Sequence, residues 1–289
     1  MTVLRQLLGG IIDFAGTYPP ASLSAAEAVA EYRRALASPH AWMLGRLVWP
    51  AQRLDELQAE LGVHGGAPWR VSAVIGNEIA GDLAQMVPFD NASLGRPFVV
   101  DMAEVRVASA DDLACIAELA PRNLALYVEA SLASDAGALL TDIKRAGWRA
   151  KMRTGGVTPE AFPRPADVLQ FVAQCVELDV ELKATAGLHH PMRGEYALTY
   201  EPGCPSGTMF GFLNLLMAVA LLEDGDIDTA ALALEERDPR AFVLSSEGAA
   251  YGDRDLTGEV ARARRRLHSF GSCSFREPAQ DLMALGVLA

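Results

Sequence analysis

The chain has 289 residues, of which 51% are hydrophobic and 21% are charged, and this composition excludes an intrinsically disordered protein. Its formal net charge of -12 argues against nucleic acid or a membrane as a partner, because both attract clustered positive charge. The N-terminal segment MTVLRQLLGGIIDFAG lacks a small-residue cleavage site and is too short to span a bilayer, so we expect a cytoplasmic protein.

Short apolar runs alternate along the chain with longer segments of helical period, a pattern typical of β-α units on a parallel sheet. The apolar runs predict strands over 9–16, 41–50, 69–76, 98–107, 124–130, 148–156, 180–187 and 267–275. Amphipathic helices are predicted over 24–37, 51–61, 110–120, 134–147 and 165–179. Eight strands with crossover helices favour an α/β fold, a (β/α)8 TIM barrel, in which residues 1–289 form a single domain.

One connection, over residues 188–266, is much longer than the others and precedes the last predicted strand. It is predicted to contain helices over 210–226, 229–238 and 257–267, and a hairpin over 241–255. The apolar run at the start of the first of these helices is shorter than a membrane span and indicates a buried helix. Long connections in compact domains are usually functional, so we interpret this one as an insertion or lid within the barrel.

Only three of the 25 basic side chains are lysines, and two of them lie inside predicted strands. Lys151 and Lys183 fall on the sixth and seventh strands, which are neighbours in a barrel, whereas Lys144 has a polar helical context. Burial favours the neutral amine of a lysine, and a neutral amine can attack a carbonyl carbon. The alternative is that both lysines are ion-paired to barrel carboxylates such as Glu104 and Glu129.

Three short motifs resemble those of class I aldolases of the deoxyribose-phosphate aldolase type. They occur in the order and with the spacing of that family's last three strands, and weaker similarities run through the first five. The motifs are Lys151-Met152-Arg153-Thr154-Gly155, Lys183-Ala184-Thr185-Ala186-Gly187 and Phe270-Gly271-Ser272-Cys273-Ser274.

The resemblance implies a carbon-carbon lyase in which Lys151 forms a Schiff base with a small carbonyl substrate and Lys183 lowers the pKa of Lys151. It places an acidic residue on the fourth strand, where Asp101, Glu104 or Arg106 can align, and Glu129 at the end of the fifth.

The resemblance also implies that the backbone N–H groups of four segments bind a phosphate or another anion, although tight turns explain these glycines equally well. These segments are Gly155, Gly156, Gly187 and Gly271–Ser272. Asp13, on the first strand, joins them as a substrate-binding candidate, and no cofactor is expected.

Arg153 departs from the family pattern, which has a small residue at this position. It shares a strand face with Lys151 because the two are two residues apart, and a guanidinium there can bind a carboxylate. The long insertion is also absent from typical members. We therefore expect a different substrate, with an anionic one among the options, and the sequence leaves open whether the chain forms a homo-oligomer.

The pair His189 and His190 follows the seventh strand and supports a second hypothesis. One imidazole can act as a general acid or base, or ligate a metal with Glu104 and Glu129 in a metal-dependent lyase or isomerase. We assign His189 to catalysis, His190 to substrate binding and no residue to a metal. A third hypothesis is a barrel that binds a ligand without turning it over.

Overall fold

The computed structural model describes residues 2–62, 66–90, 95–132 and 136–288, and thirteen strands lie within these ranges. The strands are β1 Ile12–Phe14, β2 Leu44–Pro50, β3 Trp69–Val74, β4 Phe98–Arg106, β5 Ala125–Glu129, β6 Arg149–Arg153, β7 Leu182–Thr185, β8 Gly194–Ala197, β9 Ser206–Met209, β10 Phe242–Leu244, β11 Ala249–Tyr251, β12 Arg254–Asp255 and β13 Leu267–Ser272.

Eight of these strands form a closed, all-parallel barrel in the order β1-β13-β7-β6-β5-β4-β3-β2. Each barrel strand coincides with one of the eight predicted apolar runs. The first strand closes the ring by pairing with β2 on one side and with β13 on the other, where Asp13 lies opposite Gly271. The predicted (β/α)8 fold is confirmed, including the long insertion before the last strand.

Helices precede the first barrel strand and connect the later ones. They are α1 Val3–Leu8, α2 Ala25–Leu36, α3 Leu54–Leu61, α4 Ile79–Met86, α5 Ala110–Leu119, α6 Gly137–Ala146, α7 Pro165–Glu177, α8 Phe212–Glu223, α9 Ile227–Glu235, α10 Val260–Arg266 and α11 Arg276–Ala284. Reciprocal capping boxes fix the starts of α2, through Ser24 and Glu27, and of α5, through Ser109 and Asp112. The first two residues predicted for the helix over 134–147 lie outside the described residues.

The insertion contains α8, α9 and α10 where helices are predicted, and the predicted hairpin is part of a small sheet of β10, β11 and β12. Helix α8 is buried along almost its whole length, against α7, α9 and α10, which explains its continuous apolar sequence. None of the described helices combines the length and the apolar character needed to cross a membrane.

The hairpin of β8 and β9 was not predicted, and neither were α1, α4 and α11. The hairpin follows His189 and His190 directly and lies on the chain between β7 and α8. The loop between its strands carries Tyr200, whose hydroxyl lies 3.5 Å from the Cys273 sulfur, just past β13. This part of the insertion therefore reaches the C-terminal end of the barrel, where the active sites of this fold are found.

Candidate active site

A cavity of about 250 Å³ opens at the C-terminal ends of the barrel strands. Its described walls include Lys151 and Glu104 from the barrel interior, together with Arg153, His189 and the backbone of Gly271. Other lining residues are Ala15, Tyr18, Pro19, Val48, Val74, Gly156, Val157, Thr185, Ala186 and Cys273. Ligand sites in TIM barrels lie at this end because the strands point their last side chains toward a common mouth.

The barrel register aligns four charged side chains in one row across neighbouring strands. Arg106 on β4 lies opposite Glu129 on β5, which lies opposite Lys151 on β6, which in turn lies opposite Lys183 on β7. Residues that share a register row in a barrel point to the same side of the sheet. The row places the two lysines side by side, as predicted, and both contact Glu104 on β4.

Lys151 contacts two carboxylates at the base of the cavity. Its Nζ lies 3.0 Å from Oε2 of Glu104 and 3.0 Å from Oε2 of Glu129. The residue is 5% exposed and lines the cavity, so a ligand of small size can reach the amine. The ion pairing that the sequence offered as an alternative for Lys151 is therefore present in the structure.

Lys183 lies deeper in the barrel and is fully buried. Its Nζ donates to Oδ2 of Asp13 at 2.7 Å and to Oε1 of Glu104 at 2.6 Å. Burial by itself would lower the pKa of Lys183, but the charges of Asp13 and Glu104 outweigh it and hold that pKa above its usual range. Lys183 is thus a fixed cation, inaccessible to substrate, beneath Lys151.

Hydrogen bonds from serines satisfy the remaining lone pairs of the buried carboxylates. The Ser269 hydroxyl donates to Asp13 at 2.6 Å, and the Ser72 hydroxyl donates to Glu104 at 2.8 Å. The backbone N–H of Arg46 donates to the other oxygen of Asp13 at 2.8 Å. A buried ionic cluster is stable only when its members are paired in this way.

Glu104 is the fourth-strand acid that the lysines contact. Burial would raise the pKa of Glu104, but Lys183 and Lys151 lower it more, so the carboxylate is ionised at neutral pH. Asp101, a sequence alternative for this role, instead pairs with Arg46 and Arg70. Burial likewise raises the pKa of Glu129, and Lys151 pulls it below its usual range.

Asp13 was predicted to bind substrate, but its carboxylate is fully buried and pairs with Lys183. The described residues that line the cavity do not include it. Asp13 is therefore the counter-ion that fixes Lys183 below the cavity.

The two histidines point to different places. His189 lines the cavity, with Nδ1 3.4 Å from the Ser272 hydroxyl and 3.8 Å from the Cys273 sulfur. Burial and, secondarily, the charge of His190 lower the pKa of His189 to about 4, so the imidazole is neutral near pH 7. His190 instead bonds Asp281 at 2.6 Å and stacks on Tyr196, and it is not among the described residues that line the Lys151 cavity.

The predicted anion-binding glycines divide into two groups. Gly156 and Gly271 line the cavity, whereas Gly155 and Gly187 pack against the ring of Phe162. A Cβ added to Gly155 would lie 2.4 Å from that ring, so close packing explains this glycine. Ser272, another substrate-binding candidate, is buried beside His189.

Two residues that line the cavity, Tyr18 and Cys273, were not assigned to the site from the sequence. Tyr18 follows β1 in the turn Thr17-Tyr18-Pro19-Pro20 and presents its ring to the cavity; burial and then the charge of Glu104 raise the pKa of its hydroxyl. Its position, as a polar aromatic residue just past the end of a strand, is the sequence signal that could have identified it.

Cys273 lies between this cavity and a larger one of about 420 Å³ bounded by α2 and α11.

The hypothesis of a metal bound by histidine and glutamate finds no matching geometry. Among the residues that the structure describes, no group of three or more His, Cys, Asp and Glu side chains is arranged to hold a metal ion. Glu104 and Glu129 are held by Lys151, and the carboxylate beside His189 is Glu277, at 3.7 Å.

Comparisons with protein-family models, with curated proteins and with solved structures found no match to the chain.

Proposed function

We propose that the chain is a carbon-carbon lyase of the aldolase type, in which Lys151 forms a Schiff base with a small carbonyl substrate. The observation that carries the proposal is the position of the Lys151 amine, at the base of a cavity of about 250 Å³ and within 3.0 Å of two carboxylates. An amine of this kind combines access to substrate with a nearby proton acceptor, the two requirements of covalent catalysis by lysine.

In the first step Lys151 passes a proton to Glu129, and the neutral Nζ attacks the carbonyl carbon of the substrate. The carbonyl oxygen takes up a proton, leaves as water, and an iminium remains between Nζ and the substrate carbon. Glu129 suits the transfer because it contacts Lys151 and, unlike Glu104, is not held by Lys183. Lys183 stays protonated and keeps Glu104 in place.

In the second step a base takes the proton of a hydroxyl group on the carbon two positions from the iminium carbon. The bond between the intervening carbon and that hydroxyl-bearing carbon breaks, and its electron pair moves into the iminium to form an enamine. His189 suits this role because its imidazole is neutral and lines the cavity. Protonation of the enamine at carbon and hydrolysis of the new iminium then free Lys151.

Reductive trapping tests this proposal. Borohydride added with a panel of small aldehydes and ketones should attach the substrate skeleton irreversibly to Lys151, as peptide mass mapping would show. The chain contains only three lysines, so the assignment is unambiguous, and Lys144 on the outer helix α6 serves as the internal control. Trapping that is equal at Lys144 and Lys151, or that persists in Lys151→Arg, would contradict the proposal.

The ion pairs of both lysines support a second candidate function, a barrel that binds a carbonyl or anionic ligand without turning it over. In that case Glu104 and Glu129 act only as counter-ions of Lys151. A ligand that binds reversibly in the cavity, with no borohydride-dependent adduct at Lys151, would favour this candidate over the lyase.

A further inference from the structure

A third cavity, of about 330 Å³, lies beside the first and shares Arg153 with it. Its described walls include Arg106, Glu129, Arg153 and Phe162, and the backbone that follows β5. Lys151 lines the first cavity, Arg106 lines the third, and Arg153 lies between them as a wall of both. A ligand bound at Lys151 would therefore have Arg153 beside it and the third cavity beyond.

Arg106 is the last residue of β4 and is exposed at the barrel mouth. It lies two residues beyond Glu104 on the same strand, and therefore on the same side of the sheet. Its side chain makes no hydrogen bond or salt bridge with any residue that the structure describes, and its charge lowers the pKa of Glu129, which lines the same cavity. A guanidinium has five N–H donors in a planar fork, and those of Arg106 are open to a ligand.

Arg153 occupies the equivalent position on β6, two residues beyond Lys151. Its side chain is 54% exposed, and its Nε lies 3.6 Å from Oε1 of Glu129, which is longer than a hydrogen bond. Most of its donors are therefore also available. The fork geometry of arginine matches the oxygens of carboxylates and phosphates.

Glu129 links this arginine pair to the reacting amine. One of its oxygens contacts Lys151 at 3.0 Å, and the other faces Arg153. The Glu129 carboxylate therefore lies between Arg153 and the Lys151 amine to which a substrate carbon would bind. Glu160 is the other acidic side chain among the described walls of the third cavity, and Lys151 already neutralises Glu129.

We propose that Arg106 and Arg153 form an oxyanion subsite, which selects carbonyl substrates that carry a carboxylate or phosphate a short carbon chain away from the reacting carbonyl. The link to the carbonyl rests on the proposed lyase function, but the subsite itself does not. Two arginines that converge on one cavity favour an anion over a neutral hydroxyl group, because a charge-assisted hydrogen bond is about twice as strong as a neutral one.

The subsite is tested first with anions that cannot form a Schiff base. Binding of malonate and of inorganic phosphate is measured by calorimetry at constant ionic strength in the wild type, R106Q, R153Q and the double variant. The control is R145Q, which removes an exposed arginine paired with Asp142 on the outer helix α6. We expect at least a tenfold loss of affinity for one of the anions in the double variant and no change in R145Q. Equal affinities in all five proteins would overturn the subsite.

The substrate class is tested second, by borohydride trapping with pyruvate, dihydroxyacetone phosphate and the neutral hydroxyacetone at equal concentrations. We expect an anionic carbonyl to modify Lys151 at least tenfold more than hydroxyacetone does, and this preference to vanish in the double variant. Preference for pyruvate identifies the anion as a carboxylate, and preference for dihydroxyacetone phosphate identifies it as a phosphate. Equal trapping of neutral and anionic carbonyls would overturn the proposed selectivity for anionic substrates. If no carbonyl is trapped, the proposed lyase function is contradicted, and the anion-binding measurement alone decides whether the subsite exists.

Discussion

Lys151 and Lys183 hold opposite oxygens of the same carboxylate. Nζ of Lys151 lies 3.0 Å from Oε2 of Glu104, and Nζ of Lys183 lies 2.6 Å from Oε1. The two amines differ in what else they contact: Lys151 faces a cavity, whereas Lys183 faces buried Asp13. One lysine is therefore placed to meet a ligand, and the other is placed to fix the carboxylate between them.

Lys183→Met should strongly destabilise the fold, because it leaves Asp13 and Glu104 buried without their shared cation. We expect the free energy of unfolding to fall by about 3–5 kcal/mol, as measured by urea denaturation at pH 7. Lys144→Met is the matched control, since Lys144 is half-exposed and paired with exposed Asp179, and it should cost less than about 1 kcal/mol. Similar losses in the two variants would show that the buried cluster is not held by Lys183.

His189 should make the fold less stable in weak acid. The folded chain keeps this imidazole neutral down to about pH 4, whereas the unfolded chain protonates it near pH 6.5. The unfolded state therefore binds more protons between these values, and stability falls as the pH falls. Between pH 7 and pH 5 we expect the wild type to lose about 2 kcal/mol more than His189→Gln does, as measured by urea denaturation at both pH values. Parallel losses in the two proteins would contradict the buried, neutral histidine.

Gly187→Ala should cost more than Gly147→Ala, although both glycines have the same backbone angle. Both have φ of +71°, but a Cβ at Gly187 would lie 2.9 Å from Cα of Gly155, whereas one at Gly147 would meet nothing within 4 Å. We expect about 1 kcal/mol of destabilisation at Gly147, from backbone strain alone, and about 3 kcal/mol at Gly187. Thermal or urea unfolding of the two variants measures the difference, and equal costs would show that this packing is not tight.

Cys273 should react slowly with iodoacetamide despite lining two cavities. Burial raises the pKa of its thiol to about 11, whereas hydrogen bonding by Thr199 lowers the pKa of Cys204. Because the thiolate is the reactive form, we expect Cys204 to be alkylated at least tenfold faster at pH 8. Mass mapping over time measures both rates in one sample, and the urea-unfolded chain, in which the rates should converge, is the control. Faster reaction of Cys273 would contradict its burial.

The barrel could be predicted because short stretches of sequence mark most of its strands and helices. Eight apolar runs bounded by turn residues mark the strands, and helical periodicity marks most of the crossovers. The hairpin of β8 and β9 could not be found in this way, since Gly194–Ala197 and Ser206–Met209 are short and lack clear alternation. Its position depends on long-range contacts, such as those of β9 with Pro159–Ala161 between β6 and α7.

The contacts within the site could be predicted only where the residues lie on consecutive strands of the barrel. The proximity of Lys151 and Lys183 follows from consecutive strands in a barrel, and their pairing with Glu104 was among the alternatives. The contact between Asp13 and Lys183 depends instead on how β1 and β7 align across β13, which no local pattern encodes. The direction of His190 could not be foreseen either, because it depends on Asp281 in α11 and on Tyr196 in the hairpin.

The salt bridge between Asp13 and Lys183 joins residues that are 170 positions apart. During synthesis, Asp13 leaves the ribosome long before its counter-ion exists, and a growing chain must keep that carboxylate in water until β7 has been made. A partly assembled barrel that buried it would pay the full desolvation penalty of an unpaired charge. The same ion pair that secures the finished site thus disfavours collapse around Asp13 before β7 has been made.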